Sequence, residues 1–314
     1  MKHIVLFAML LTGVIALCGC GDTSPSGARK IEKIQAVSTI GQINDAITII
    51  GGDRVEAIGL MGAGVDPHSY KASAGDLRKM SRADVIFYNG LHLEAKMGDV
   101  LEKLADSKRV TTVTQGIPED KLLTVDNVSG YHDPHIWFDV PLWMETVRAV
   151  SGTLCAMEPE HAEEFKQRAE AYLEQLAELH QYVQDKAAEL PEQQRILITA
   201  HDAFRYFGRA YGFKVMGLQG ISTEAEAGTK DVQDLAKFVA ENKIRAIFIE
   251  SSVPERNIRA VTEAVRALGW EVKVGGELFS DALGEAGTEG GTYIGMVKHN
   301  IDTIVNALKT PETE

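Results

Sequence analysis

Short apolar runs alternate with amphipathic stretches along the chain after residue 30, and this pattern predicts its secondary structure. Four strand-like runs fall in the first half, at 34–39, 55–61, 83–90 and 109–114. Four more fall in the second half, at 195–201, 213–220, 244–252 and 270–278. Helical patterns such as 40–50 and 72–81 lie between the runs. Strand–helix alternation is typical of right-handed βαβ units, so it predicts an α/β fold with a parallel sheet of roughly four strands and flanking helices in each half.

A long amphipathic segment separates the two alternating regions. Residues 161–190 contain no Gly or Pro, and Pro191 ends the run. Its apolar residues recur at intervals of four and three, which is the spacing of one helix face. They are Phe165, Ala169, Tyr172, Leu176, Leu179, Val183, Ala187 and Leu190. A helix of this length extends roughly 45 Å, so we predict a rigid connection; a coiled coil is the alternative, but no matching heptad run occurs elsewhere.

These patterns predict two domains joined by one backbone helix. The N-terminal α/β domain covers 30–160, the linking helix 161–190 and the C-terminal α/β domain 191–314. With 45% hydrophobic and 25% charged residues, the composition is typical of a globular chain. The formal net charge is −13, and no segment is basic enough to indicate a nucleic-acid partner.

The first residues have the pattern of an export signal. An apolar run at 4–17 is too short to span a membrane as a mature helix but suits a secretory signal. The sequence LCGC ending at Cys20 resembles a bacterial lipobox, in which removal of the signal leaves a lipid-modified cysteine as the new N-terminus. We therefore predict a lipoprotein signal peptide at 1–19, lipid attachment at Cys20 and a flexible tether at 20–29. An ordinary signal peptide and a single-pass anchor are the alternatives.

Four residues are candidate ligands of a metal ion. Each follows a strand-like run, in the fragments VDPHSY, DPHIWFD, TAHDAF and LFSDALG, and two come from each half. They are His68, His135, His201 and Asp281. Open parallel sheets bind ligands beyond the carboxyl ends of their strands, so we expect these side chains to meet between the two domains. Three imidazoles and a carboxylate can form a closed shell around a divalent transition metal.

One of these assignments has an alternative, and two further residues are candidates near the site. His132 competes with His135 because it lies three residues away in the same loop, although His135 is better fixed between a proline and an apolar Ile-Trp-Phe segment. Glu250, at the end of the strand AIFIE, either faces solvent or accepts the second ring proton of a metal-bound histidine. His92 also follows a strand end and is a candidate for the rim of the site.

Several motifs together resemble a known family. The fragments are GAGVDPHSY, NGLHLE, DPHIWFDV, TAHDAFRYFGRAYG, IFIESSVPERNI and GGELFSDALG. They are similar to the cluster A-I metal-binding lipoproteins of ABC importers, the TroA-like zinc and manganese solute-binding proteins, over roughly 30–310. The resemblance implies a monomeric, lipid-anchored protein on the outer face of the cytoplasmic membrane, on the periplasmic side where an outer membrane exists. It also implies capture of Zn(II) or Mn(II) by the four candidate ligands, and delivery to an ABC permease and its ATPase.

The choice of metal rests on ligand chemistry. Three nitrogen ligands favour Zn(II), because Mn(II) prefers oxygen, whereas a bidentate Asp281 could raise the coordination number enough for Mn(II). Manganese-specific members of the family usually carry Glu at the position of His201. Zinc-specific members usually carry a His-rich loop before the second DPH motif, and the stretch 111–131 lacks one. We expect both metals to bind, zinc more tightly, and the loops at 221–230 and 280–292 to move on release.

Two other functions are alternatives, a zinc-dependent hydrolase and a surface adhesin. Catalytic zinc sites usually combine three protein ligands with an open position for water. Four strong ligands would close the shell here, and neither an HExxH nor a GxSxG motif occurs. The sequence therefore favours a binding protein over an enzyme, and nothing in it tests an adhesin role.

Overall fold

The computed structural model describes residues 33–125 and 130–309. The predicted signal peptide, the tether and the lipid attachment site Cys20 lie outside these residues. No helix in the described part of the chain is both long enough and apolar enough to cross a membrane.

The first half of the chain forms a four-stranded parallel sheet, as predicted. Its strands are β1 (Ile34–Ser38), β2 (Val55–Gly59), β3 (Val85–Tyr88) and β4 (Arg109–Thr112), in the order β2-β1-β3-β4. The helices α1 (Gly41–Gly51), α2 (Ala74–Arg82) and α3 (Gly98–Ala105) connect them. Because every pair is parallel, all four strands end at the same edge of the sheet.

Two helices follow the first sheet. The helix α4 covers Val140–Met157 and α5 covers Ala162–Ala188. The α5 helix has 27 residues, and its buried side chains are those that the apolar spacing predicts. Arg54 contacts Glu164 near its amino end, and Lys186 contacts Asp302 near its carboxyl end. This confirms the long helix and shows that it packs along both halves of the chain.

The second half also contains four parallel strands, but they form two hydrogen-bonded pairs. Its elements are β5 (Ile196–His201), α6 (Arg205–Tyr211), β6 (Lys214–Gln219), α7 (Thr229–Glu241), β7 (Ala246–Glu250), α8 (Arg256–Ala267), β8 (Lys273–Leu278) and α9 (Tyr293–Leu308). β5 pairs with β6 and β7 with β8. β5 and β7 lie side by side, yet share no strand ladder among the described residues. At the carboxyl ends of β5 and β7, the Glu250 side chain accepts a hydrogen bond from the backbone N–H of His201 at 2.8 Å. A side-chain hydrogen bond therefore connects these two strands.

Apolar packing connects the halves around α5. The larger buried cluster includes Phe87 of the first sheet, Leu176 of α5 and Tyr293 at the start of α9. A smaller cluster lies between the second-half strands and the helices α7 and α8, with Ile198 and Val261 among its members. Burying a large apolar side chain contributes about 1.5–3 kcal/mol, so the loops at the strand ends extend from a well-packed base.

Candidate metal centre

The four candidate ligands lie together in the structure. Each offers one ligand atom, and these atoms lie within 4.8 Å of one another. The Nε2 atoms of His68 and His135 are 3.2 Å apart, and Nε2 of His201 lies 3.3 Å from an oxygen of Asp281. All four residues are buried. Within residues 33–125 and 130–309, this is the one group of three or more His, Cys, Asp or Glu residues that could hold a metal ion.

The candidate ligands lie at or beyond strand ends of three separate sheets. His201 is the last residue of β5, and Asp281 lies three residues beyond the end of β8. His68 lies in the loop that follows β2, and His135 lies in the connection that leads into α4. Each side chain therefore lies in a loop or at a strand end on the edge where parallel sheets bind ligands.

The two Asp-Pro-His loops share one local structure. Oδ1 of Asp66 accepts the backbone N–H of His68 at 2.9 Å, and Oδ1 of Asp133 accepts that of His135 at 3.0 Å. An aspartate that accepts from the backbone two residues ahead forms an Asx turn, and the intervening proline restricts φ. The sequence analysis used the proline before His135 but assigned no backbone hydrogen bond to either aspartate, although the repetition of Asp-Pro-His was a visible signal.

Carboxylates orient two of the imidazoles from behind. Nδ1 of His201 lies 2.5 Å from Oε2 of Glu250, and Nδ1 of His135 lies 2.8 Å from Oδ1 of Asp133. Each Nδ1–H group donates a hydrogen bond to its carboxylate, so the lone pair on Nε2 of the same ring can bind a cation. Glu250 is buried rather than solvent-facing. Asp133 is likewise buried and supports His135 in the same way. The sequence analysis did not identify this role of Asp133.

The charges of the site suit a divalent cation. Burial opposes ionisation of Asp281, but the neighbouring imidazoles, His201 first, hold its pKa well below the ordinary value. Burial lowers the pKa of His68 to about 4. Burial also disfavours charge on His201, yet the carboxylates of Glu250 and Asp281 raise its pKa well above the ordinary value. Both oxygens of Asp281 and Nε2 of His201 are buried and have no hydrogen-bond partner outside the four candidate ligands, and a metal ion would satisfy all three atoms.

The other histidines near the site stand apart from the four candidate ligands. Nε2 of His132 lies 3.7 Å from Glu119, so the structure places His135, and not His132, beside the other candidates. The ring of His92 stacks on Tyr131, with ring centroids 4.2 Å apart. Neither His92 nor His132 belongs to the metal-ligand group.

Trp137 joins the two halves behind the site. Its indole N–H donates to the carbonyl of Ser280 at 3.0 Å, which connects the His135 loop directly to the Asp281 loop. Its own carbonyl accepts the hydroxyl of Tyr293 at 2.7 Å. Because these groups are buried, breaking them would leave polar atoms unpaired at a cost of about 1–3 kcal/mol each.

The chain is similar to several known metal-binding proteins. A family model, ZnuA, described as zinc-uptake complex component A periplasmic, matches residues 36–307. Over 304 residues the chain is 52% identical to the zinc-binding protein TroA of Treponema pallidum, covering 97% of this chain and 96% of TroA. It is 47% identical over 304 residues to the manganese-binding lipoprotein MntA of Bacillus subtilis, covering 97% and 99% of the two chains.

Solved structures show the same fold. The periplasmic zinc-binding protein TroA from Treponema pallidum superimposes with a TM-score of 0.87 at 54% identity, covering 88% of this chain and 100% of that one. The Fe(III)-bound YtgA from Chlamydia trachomatis superimposes with a TM-score of 0.79 at 26% identity, covering 89% and 99%. The chain therefore belongs to the ZnuA family, a family of substrate-binding proteins of ABC importers rather than of enzymes.

Proposed function

We propose that the protein captures Zn(II) or Mn(II) outside the cytoplasm and delivers it to an ABC permease. We propose that His68, His135, His201 and Asp281 bind the ion. The observation that carries this assignment is the set of buried ligand atoms on Asp281 and His201 that no group outside the site satisfies, beside two further imidazoles. A buried carboxylate is costly unless it is paired or coordinates a metal, and a captured ion would supply that partner.

The ligand number supports capture over catalysis. Four protein ligands complete a tetrahedral shell, whereas a catalytic zinc site keeps a position open for water. A zinc-dependent hydrolase, the alternative from the sequence, has no support in the comparisons, which find importer components. No contact or surface of the described residues favours the adhesin alternative.

Attachment, partners and domain organisation complete the proposal. We infer that lipidated Cys20 holds the mature protein as a monomer on the outer face of the cytoplasmic membrane, where it serves a permease and its ATPase. The lipobox-like LCGC supports this, as do the names of relatives such as the manganese-binding lipoprotein MntA. We keep the division into domains at 30–160 and 191–314, with the helix at 161–190 as the connection between them.

Metal competition tests the proposed function. We expect metal-free protein to bind one Zn(II) per chain, and Zn(II) to displace Mn(II), because zinc forms the more stable complexes with nitrogen ligands. Neither oxygen of Asp281 has a hydrogen-bond partner outside the four candidate ligands, so a bidentate carboxylate can still admit Mn(II). The measurement is metal analysis of dialysed protein loaded with equal amounts of both ions. Protein that bound neither ion stoichiometrically would rule out the function, and protein that kept Mn(II) would reverse the proposed preference.

Replacing Glu250 tests the support of His201. Glu250→Gln removes the negative charge that accepts the Nδ1 proton of His201, and loss of such a partner weakens metal binding by about tenfold to a hundredfold. Zinc titration against a competing chelator measures the change. Glu277→Gln is the matched control, since Glu277 is an exposed residue of β8. Equal zinc affinities for the two variants would show that Glu250 does not support the site.

A further inference from the structure

Buried hydrogen bonds hold three of the four proposed ligands. His201 is joined to Glu250, and His135 to Asp133. Asp281 follows Ser280, whose carbonyl accepts from the Trp137 indole. These partners are buried, so none of the three ligands can leave its place without exposing or unpairing a polar group.

His68 is held differently. Its side chain is 4% exposed, whereas those of the other three ligands are 0% exposed. Among the described residues, its Nδ1 has no carboxylate partner of the kind that His135 and His201 have. Its loop is fixed instead through Asp66, whose Oδ1 accepts the backbone N–H of His68. The position of His68 therefore depends on what holds Asp66.

Oδ2 of Asp66 accepts a hydrogen bond from Ser69 of its own loop at 2.8 Å, and a segment of the second half of the chain supplies a second donor. The hydroxyl of Thr223 donates to Oδ2 of Asp66 at 2.7 Å. The next residue, Glu224, forms an ion pair with Lys96 at 2.5 Å, a second polar contact between the halves. The Lys96 and Glu224 side chains are 42% and 40% exposed. We call these two contacts, Thr223–Asp66 and Glu224–Lys96, the latch.

We propose that the latch controls metal exchange: Thr223 and Glu224 are positioning residues that hold the His68 loop closed over the site, and metal enters and leaves past His68. This inference rests on the proposed function. Partly exposed polar contacts and ion pairs are weak because water competes for the same groups. The buried contacts behind the other ligands are harder to break, so local opening should begin at the latch.

The test is a pair of rates measured on the full-length protein. The double variant Thr223→Val with Glu224→Gln removes the hydroxyl donor of Thr223 and the negative charge of Glu224 while side-chain size is kept. We expect zinc to dissociate about threefold to tenfold faster into excess chelator. Association should accelerate by a similar factor, because the same opening admits the ion. Tryptophan fluorescence can follow association, since the Trp137 ring lies 5.3 Å from that of His135.

Two further variants make the result specific. Glu226→Gln is the matched control, because Glu226 lies two residues along the same segment but pairs with Arg256 within the second half. A separate variant, Lys96→Glu with Glu224→Lys, restores the ion pair with the charges exchanged. Its two rates should lie closer to the wild-type values than those of the double variant Thr223→Val with Glu224→Gln. Double-variant rates equal to the Glu226→Gln control, or faster dissociation with unchanged association, would overturn the latch. If wild-type protein bound no zinc, the proposed function would fail first, and that outcome is distinct.

Discussion

Replacing His201 with alanine should abolish tight zinc binding while the chain still folds. Structural zinc sites bind with about 10–16 kcal/mol, so one ligand in four contributes about 2.5–4 kcal/mol. That loss lowers the affinity by about a hundredfold to a thousandfold. The variant also leaves the Glu250 carboxylate without its imidazole partner, which should cost the metal-free fold about 1–3 kcal/mol. Zinc titration with a competing chelator, paired with thermal unfolding of the metal-free protein, measures both effects.

His180→Ala is the control for this prediction. His180 lies on α5, half-buried, with its Nδ1 3.1 Å from the hydroxyl of Tyr211, and it does not belong to the metal-ligand group. Its loss should leave zinc affinity unchanged. His68→Ala should weaken binding less than His201→Ala, because three well-held ligands can still bind zinc. Wild-type affinity in His201→Ala would show that the ligand assignment is wrong.

The sequence predicted the framework because its signals are local and periodic. The four-and-three spacing from Phe165 to Leu190 defines one helix face, and the same residues are buried in the structure. The predicted strands 34–39 and 195–201 nearly coincide with the observed β1 and β5. Within one sheet, parallel strands end at the same edge, so the pattern could place His68 and Asp281 each beyond the end of a strand. The two residues follow different sheets, so their meeting rested on the expected site between two domains and on the family resemblance.

The contacts that hold the site depend on tertiary structure and left no periodic signal. An indole from one half donates to a carbonyl in the other, at Trp137 and Ser280, and spacing along the chain does not encode such a pair. Apolar runs likewise predict strands but not their ladders, so the separation of β5 from β7 was not foreseen. The latch is a similar case, because Thr223 and Asp66 are small polar residues of unpatterned loops.

Zinc affinity should fall as the pH falls, because His201 must lose a proton before its Nε2 can bind the ion. The carboxylates of Glu250 and Asp281 raise the pKa of His201 well above the ordinary value, so the metal-free protein holds a proton there at about pH 7. His68 brings no such proton, because burial lowers its pKa to about 4. Asp281 is ionised, since its pKa lies below the ordinary value. His201 should therefore release about one proton for each zinc bound near neutrality.

The direction of the pH dependence follows because a proton and the zinc ion compete for Nε2 of His201. Below the pKa of His201, each unit of falling pH should weaken zinc binding by about tenfold, and above that pKa the affinity should level off. Calorimetry in buffers of different ionisation enthalpy measures the protons released. In Glu250→Gln the pKa of His201 should be lower, because one carboxylate is gone, so fewer protons should be released at the same pH. Zinc binding without proton release in the wild-type protein would mean that His201 is already neutral, and that its two carboxylates do not stabilise the imidazolium.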